Sequence, residues 1–221
     1  DRAGRLIDAQ EFRFLRFPRA RFAPEVLEDL FDTCRSSVIE DGDDLILKAK
    51  ILEVQEKSGF VPNVFLAFAR RPAEWRAFFA YHDALMLREG SSLTKGEREM
   101  IITTTSAANQ CLYCVVAHGA ILRIYEKKPL VADQVAVNYR KADITPRQRA
   151  MLDFALQVCL QSHTVEDADF ATLRAHGFDD EDIWDIAGIT AFFGLSNRMA
   201  NVTGMQPNPE FYLLGRIPKT K

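Results

Sequence analysis

Cys111-Leu112-Tyr113-Cys114-Val115-Val116-Ala117-His118 is the stretch from which the reading of the fold proceeds. Read as a helix, it sets Cys111, Cys114 and His118 at i, i+3 and i+7, on one stripe. The run before it, Lys95 to Ala108, is also helical in pattern, and Asn109-Gln110 separates the two. A CxxC of the thioredoxin kind needs a preceding strand and a βαβ context, and neither is here. Outward from this centre the helical period continues from about Pro24 to Asn201, and strand signals are nearly absent.

Toward the N-terminus, Val26, Leu27, Leu30, Phe31, Cys34, Val38 and Ile39 form one apolar helical face. A second helix begins near Asp44, runs through Leu47, Ile51 and Val54, and stops at Gly59. Pro72 suits the first turn of a helix through Trp75, Phe78, Phe79 and Leu85, ended by Gly90-Ser91-Ser92. Toward the C-terminus, helices are expected at Val131–Tyr139, Pro146–Gln161, Glu166–Ala175 and Asp180–Asn201, and the residues after Pro209 read as a tail that packs on a neighbour. Leu93-Thr94-Lys95-Gly96-Glu97-Arg98 is echoed 51 residues later by Ile144-Thr145-Pro146-Arg147-Gln148-Arg149. The expected fold is therefore all-α, a single-domain helical bundle built around a duplicated helical hairpin.

The 221 residues carry 28 Lys+Arg against 31 Asp+Glu, a net charge of -3, with 48% hydrophobic residues. Such a composition fits a globular protein with a sizeable core. Without a dense basic block it gives no footprint for nucleic acid or for an anionic membrane surface, and no apolar run approaches the roughly 20 residues that cross a bilayer. The expectation is a cytoplasmic protein with neither partner. Four cysteines are too few for a disulfide scaffold in a chain of this length.

The chemistry centres on the paired cysteines. A CxxC whose first Cys opens a helix has its thiols near backbone N–H groups and the positive end of the helix dipole, which favour thiolate. His118 lies one turn beyond Cys114, within reach as a base. Each cysteine alone would suit core packing; the conjunction points to thiol redox chemistry. Zinc lacks a second CxxC or an HxxxH to complete four ligands, and covalent haem would need a His where Val115 stands. Cys34 and Cys159, on apolar faces, read as core, as do Phe192, Phe193, Trp75 and Trp184, while His82, His163 and His176 read as surface or capping residues.

Glu99, then Cys111, Cys114 and His118, resembles the Glu…CxxC…His signature of the alkylhydroperoxidase D family within the carboxymuconolactone decarboxylase-like group. Gly59-Phe60-Val61-Pro62-Asn63, Ser106-Ala107-Ala108-Asn109 and Asn197-Arg198-Met199-Ala200-Asn201 resemble its peroxidase-related subgroup. The resemblance covers roughly Glu56 to Pro207, giving an N-terminal helical extension at 1–55, a core at 56–207 and a tail at 208–221. The first fifty residues resemble no known family. The resemblance implies that Cys114 attacks peroxide, Cys111 resolves the product, and His118 with Glu99 relays the proton. Tyr113 stands where some relatives carry His; it can donate a hydrogen bond to a bound peroxide but is no base at neutral pH. A helical wheel alone favours Glu97 over Glu99 for the apolar face, whereas the spacing to Cys111 favours Glu99.

The function implied is thiol-dependent reduction of hydrogen or organic hydroperoxides, with an external dithiol as reductant, a homo-oligomeric assembly, and no metal, haem or flavin cofactor. Two alternatives stay open: a CxxC redox sensor or partner protein with little turnover, and a lactone decarboxylase of the same fold, against which the paired cysteines argue.

Overall fold

The structure, a computed structural model, describes residues 41–69 and 71–216, with side chains from Leu47 onward. The expected helix from Pro24, with Cys34, lies outside the described residues. Ten α-helices follow in order: α1 Asp41–Ser58, α2 Asn63–Ala69, α3 Pro72–Met86, α4 Lys95–Ala108, α5 Leu112–Glu126, α6 Val131–Asn138, α7 Pro146–Gln161, α8 Asp167–Ala175, α9 Asp180–Val202 and α10 Pro209–Leu213, with short 3-10 turns at Tyr139–Lys141 and Ser162–Thr164. The described residues contain no strand. The protein is all-α, as the periodicity requires.

Among the described residues the chain divides into two compact units, residues 41–80 with 202–206 and residues 81–201 with 207–216. In the first, Leu47 and Ile51 of α1 are buried with Val61, Leu66, Ala69 and Trp75. Phe65 stacks on Phe79 at 4.3 Å and meets Trp75 edge-on at 5.8 Å. Gly59 ends α1 with φ +80, a left-handed conformation that glycine adopts without steric cost, and Asn63 donates to the Gln206 carbonyl at 2.8 Å.

The second unit is organised around α4, whose residues from Gly96 to Ser106 are all buried. Gly96 lies against the Glu126 side chain at the end of α5; a Cβ there would come 1.9 Å from its carboxylate oxygen and displace the flexible end of that side chain. Met100, Ile101 and Ile102 form the core with Leu122, Met151, Leu152, Leu173, Ile186, Ile189 and Phe193. A helix buried on every side must satisfy its polar groups internally, and α4 does so for its charged ones. Arg98 donates to the carbonyls of Leu85 and of Arg88, the latter at 3.0 Å, and lies 3.9 Å from the Asp185 carboxylate.

The sequence echo is a repeated helix start. Thr94 and Thr145 each open their helix with a capping box, closed by Glu97 and Gln148. The arginine after each box, Arg98 or Arg149, turns back to carbonyls of the preceding segment; for Arg149 these are Tyr139, Arg140 and Ala142. Arg147 then joins the two starts, donating to Glu97 at 2.5 Å and to the Ser92 hydroxyl at 2.8 Å.

One expectation needs correcting. Trp184 is 74% exposed rather than core, because the buried face of α9 is carried by Ile183, Ile186, Ile189 and Phe193. Residues 209–216 pack on their own unit: Arg123 of α5 donates to the carbonyls of Phe211 at 2.9 Å and Leu214 at 3.0 Å, and Arg216 pairs with Asp133.

Candidate functional site: the paired cysteines

The turn between α4 and α5 places the cysteines. Gln110 adopts φ 53, while its N–H reaches the Ala107 carbonyl and the Cys111 N–H reaches that of Ser106 at 2.9 Å. This is a Schellman closure of α4 with Gln where glycine is usual, a strain of about 1–3 kcal/mol for a non-glycine residue. The turn makes Cys111 the N-cap of α5, and its sulfur accepts the Cys114 N–H at 3.4 Å.

Both thiols are fully buried. The Cys111 thiol is brought down to about 7 by a hydrogen bond from the Cys114 thiol, against the cost of burial, with help from the Cys114 N–H, the Asn197 side chain and the charge of His118. The Cys114 thiol is pushed up, because it donates to Cys111, is buried, and faces the Cys111 charge. Both effects favour ionisation at Cys111 over Cys114. A thiolate absorbance titration of the reduced protein at 240 nm is expected to show a step centred near pH 7, with absorbance rising as pH rises; a first step near pH 9 would contradict this geometry.

Glu99 and His118 meet: His118 Nδ1 lies 2.8 Å from a Glu99 carboxylate oxygen, with both side chains largely buried. The carboxylate fixes the ring, as an orienting partner does for a proton-transferring His. Phe193 lies edge-on to the His118 ring at 4.7 Å. Glu97 is engaged elsewhere, in the capping box of α4 and with Arg147. Tyr113 sits about 100° round α5 from Cys114; it is buried, and its ring meets Phe211 of α10 edge-on at 6.4 Å.

Helix α9 closes the other side. Ser196 Oγ lies 3.9 Å from Cys114 Sγ. Asn197, fully buried, donates to Ser106 Oγ and accepts from Asn109 Nδ2, both at 2.9 Å. Asn109 Nδ2 also reaches Cys159 Sγ at 3.3 Å, so Cys159 is half-buried beside a polar network rather than simply packed in the core. His82 lies beside Phe192 and Phe193 and is bonded to Asp83. Ser196, Ser106, Asn109 and Cys159 were not singled out from the sequence as site residues. Ser106, Asn109 and Asn197 did stand in the stretches of subgroup resemblance.

Among the described residues no group of three or more His, Cys, Asp and Glu is placed to hold a metal ion, and no helix is long and apolar enough to cross a membrane.

Fold and site together define an all-helical protein with a paired-cysteine centre and an attached Glu–His pair. Residues 72–129 match the Carboxymuconolactone decarboxylase family. The chain superposes on the alkylhydroperoxidase AhpD core of a peroxidase-related protein from Ralstonia eutropha JMP134 with a TM-score of 0.77 and 77% identity, covering 78% of this chain and 90% of that one. A peroxidase-related protein from Silicibacter sp. TM1040 gives 0.72 at 41% identity, covering 91% and 95%. The chain belongs to the carboxymuconolactone decarboxylase and AhpD-like family, among its peroxidase-related members.

Residues 1–91 match a different family, the Isocitrate dehydrogenase kinase/phosphatase (AceK) kinase domain. The isocitrate dehydrogenase kinase/phosphatase of Xanthomonas campestris pv. campestris (strain 8004) is 60% identical over 47 residues, 21% of this chain; the chain spans only 8% of that relative's length. This corrects the expectation that the first fifty residues resemble no known family.

Proposed function

We propose that the protein is a thiol peroxidase in which Cys111 and Cys114 reduce a hydroperoxide and are reset by an external dithiol. The observation that carries this reading is the Glu99–His118 pair, whose histidine lies on the same helical stripe as a CxxC whose first cysteine is the N-cap of α5. Cys114 is the attacking sulfur. Its proton already lies in a hydrogen bond to Cys111, and passing that proton to Cys111 frees the Cys114 thiolate. The thiolate attacks one peroxide oxygen, the O–O bond breaks, and a proton delivered by way of His118 leaves with the alcohol or water. Cys114 is now a sulfenic acid. Cys111 sulfur attacks it, the S–O bond breaks, water leaves with the Cys111 proton, and the disulfide forms. Two electrons pass from the thiols to the peroxide, and an external dithiol returns them by thiol exchange.

Burial of both sulfurs gives weight to a second reading, in which the pair records oxidation without sustained turnover. Peroxide consumption in excess dithiol separates the two. Many turnovers per protein, lost without the dithiol, are expected; consumption that stops at one equivalent of peroxide per protein would favour the sensor.

A further inference from the structure

We propose that Phe193 is a positioning residue for His118: its ring and the Glu99 carboxylate together hold the imidazole in the one orientation from which it passes a proton. This rests on the peroxidase reading, which makes His118 the proton carrier. The Glu99 contact engages Nδ1, at 2.8 Å, and histidine χ2 is a broad, two-fold torsion. A ring turned over about that torsion would carry Nδ1 away from the carboxylate. The turn sweeps the imidazole through the space beside it, where Phe193 stands at 4.7 Å and 81°, the edge-to-face arrangement that aromatic pairs favour. Glu99 thus selects one of the two placements, and Phe193 fixes the plane of the ring and obstructs exchange between them.

Phe193 is itself held. It is 2% exposed. Phe192 lies edge-on to it at 5.1 Å and His82 of α3 at 6.3 Å, and Phe192 in turn meets Tyr81 of α3 edge-on at 5.4 Å. In a close-packed interior a ring wedged by rings from two helices has no void to swing into. The register of α9 on α5 fits the same role. Cys114 and His118 are about one turn apart on α5, and Phe193 and Ser196 about one turn apart on α9. Their contacts run in reverse order, Ser196 Oγ to Cys114 Sγ at 3.9 Å and Phe193 to His118. The face of α9 that closes on the cysteine therefore also brings Phe193 onto the histidine.

Two measurements on Phe193→Leu test this. The first is the proton NMR signal of the His118 Nδ1–H, downfield of the amides and absent from His118→Ala; it needs no peroxide and so stands apart from whether the protein turns over. One sharp line is expected in the parent and a broadened or lost line in Phe193→Leu. An equally sharp line in that variant, or none in the parent, overturns the proposal. The second is the rate at which cumene hydroperoxide oxidises the reduced pair. Phe193→Leu is expected to slow it about tenfold, the upper worth of one aromatic pair, but by less than about twofold in the His118→Ala background, because the contact acts through His118. The same tenfold loss in both backgrounds is what a merely structural role gives, and it overturns the proposal, as does no loss in either. A parent oxidised no faster than a free thiol instead ends the peroxidase reading, and the ring signal alone then decides the role of Phe193. Should Phe193→Leu not fold, Phe193→Met, whose flexible chain fills irregular space, carries the same expectations.

Discussion

Cys114→Ser is expected to lower peroxide-dependent dithiol oxidation by on the order of 10³-fold or more, because the nucleophile of a covalent step has no substitute nearby. Cys111→Ser is expected to lose turnover to the same degree for a different reason: attack still occurs, but the sulfenic acid at Cys114 has no partner and accumulates, trappable by dimedone. The two variants are thus distinguished by what they form rather than by how much activity remains. Glu99→Gln is expected to fall between them and the parent, by roughly 10²-fold, the usual worth of a positioned proton-transfer partner. Dimedone adduct at Cys111 in Cys114→Ser, with none at Cys114 in Cys111→Ser, would reverse the two roles.

The largest expected effect on stability lies away from the sulfurs, at Arg98. Its side chain is 3% exposed, pairs with Asp185, also buried, and supplies the carbonyls of Leu85 and Arg88. Asp185 retains Arg88 at 2.7 Å, but one of its oxygens has no hydrogen-bond partner even with Arg98 present. Arg98→Met therefore strands two carbonyls and leaves a buried carboxylate short of its countercharge, at a cost of about 3–5 kcal/mol, or a melting temperature lower by roughly 10 °C. The exposed pair Arg174–Asp180 provides the contrast: Arg174→Ala is expected to change stability by less than about 1 kcal/mol. Thermal unfolding of the two variants checks both values, and equal losses would contradict the assignment of Arg98 as a buried structural cation.

What was legible in the sequence was what is local. Helix starts at Pro72 and Pro146 and the stop at Gly59 follow from residue chemistry within a turn, and the stripe of Cys111, Cys114 and His118 needs only the helical period. The choice between Glu97 and Glu99 misled the helical wheel because α4 has no solvated face, so no single apolar direction exists for the wheel to find. A local signal did exist: Thr94-Lys95-Gly96-Glu97 is a capping-box pattern, which commits Glu97 to the helix start and leaves Glu99 for His118. Asn197 and Ser106 are 91 residues apart, and their meeting depends on how α9 packs on α4, which periodicity does not reveal. Trp184 was misread for a similar reason: α9 is apolar on more than one side, and the packed side is set by its neighbours in the fold.

The central claim, that Cys111 and Cys114 are a peroxide-oxidised pair, is tested most directly by intact mass and peptide mapping of the reduced protein after exposure to cumene hydroperoxide. The account predicts rapid loss of the mass of two hydrogens, mapped to a Cys111–Cys114 disulfide and reversed by dithiol. Oxidation no faster than that of a free thiol, or a disulfide formed through Cys159 instead, would contradict it.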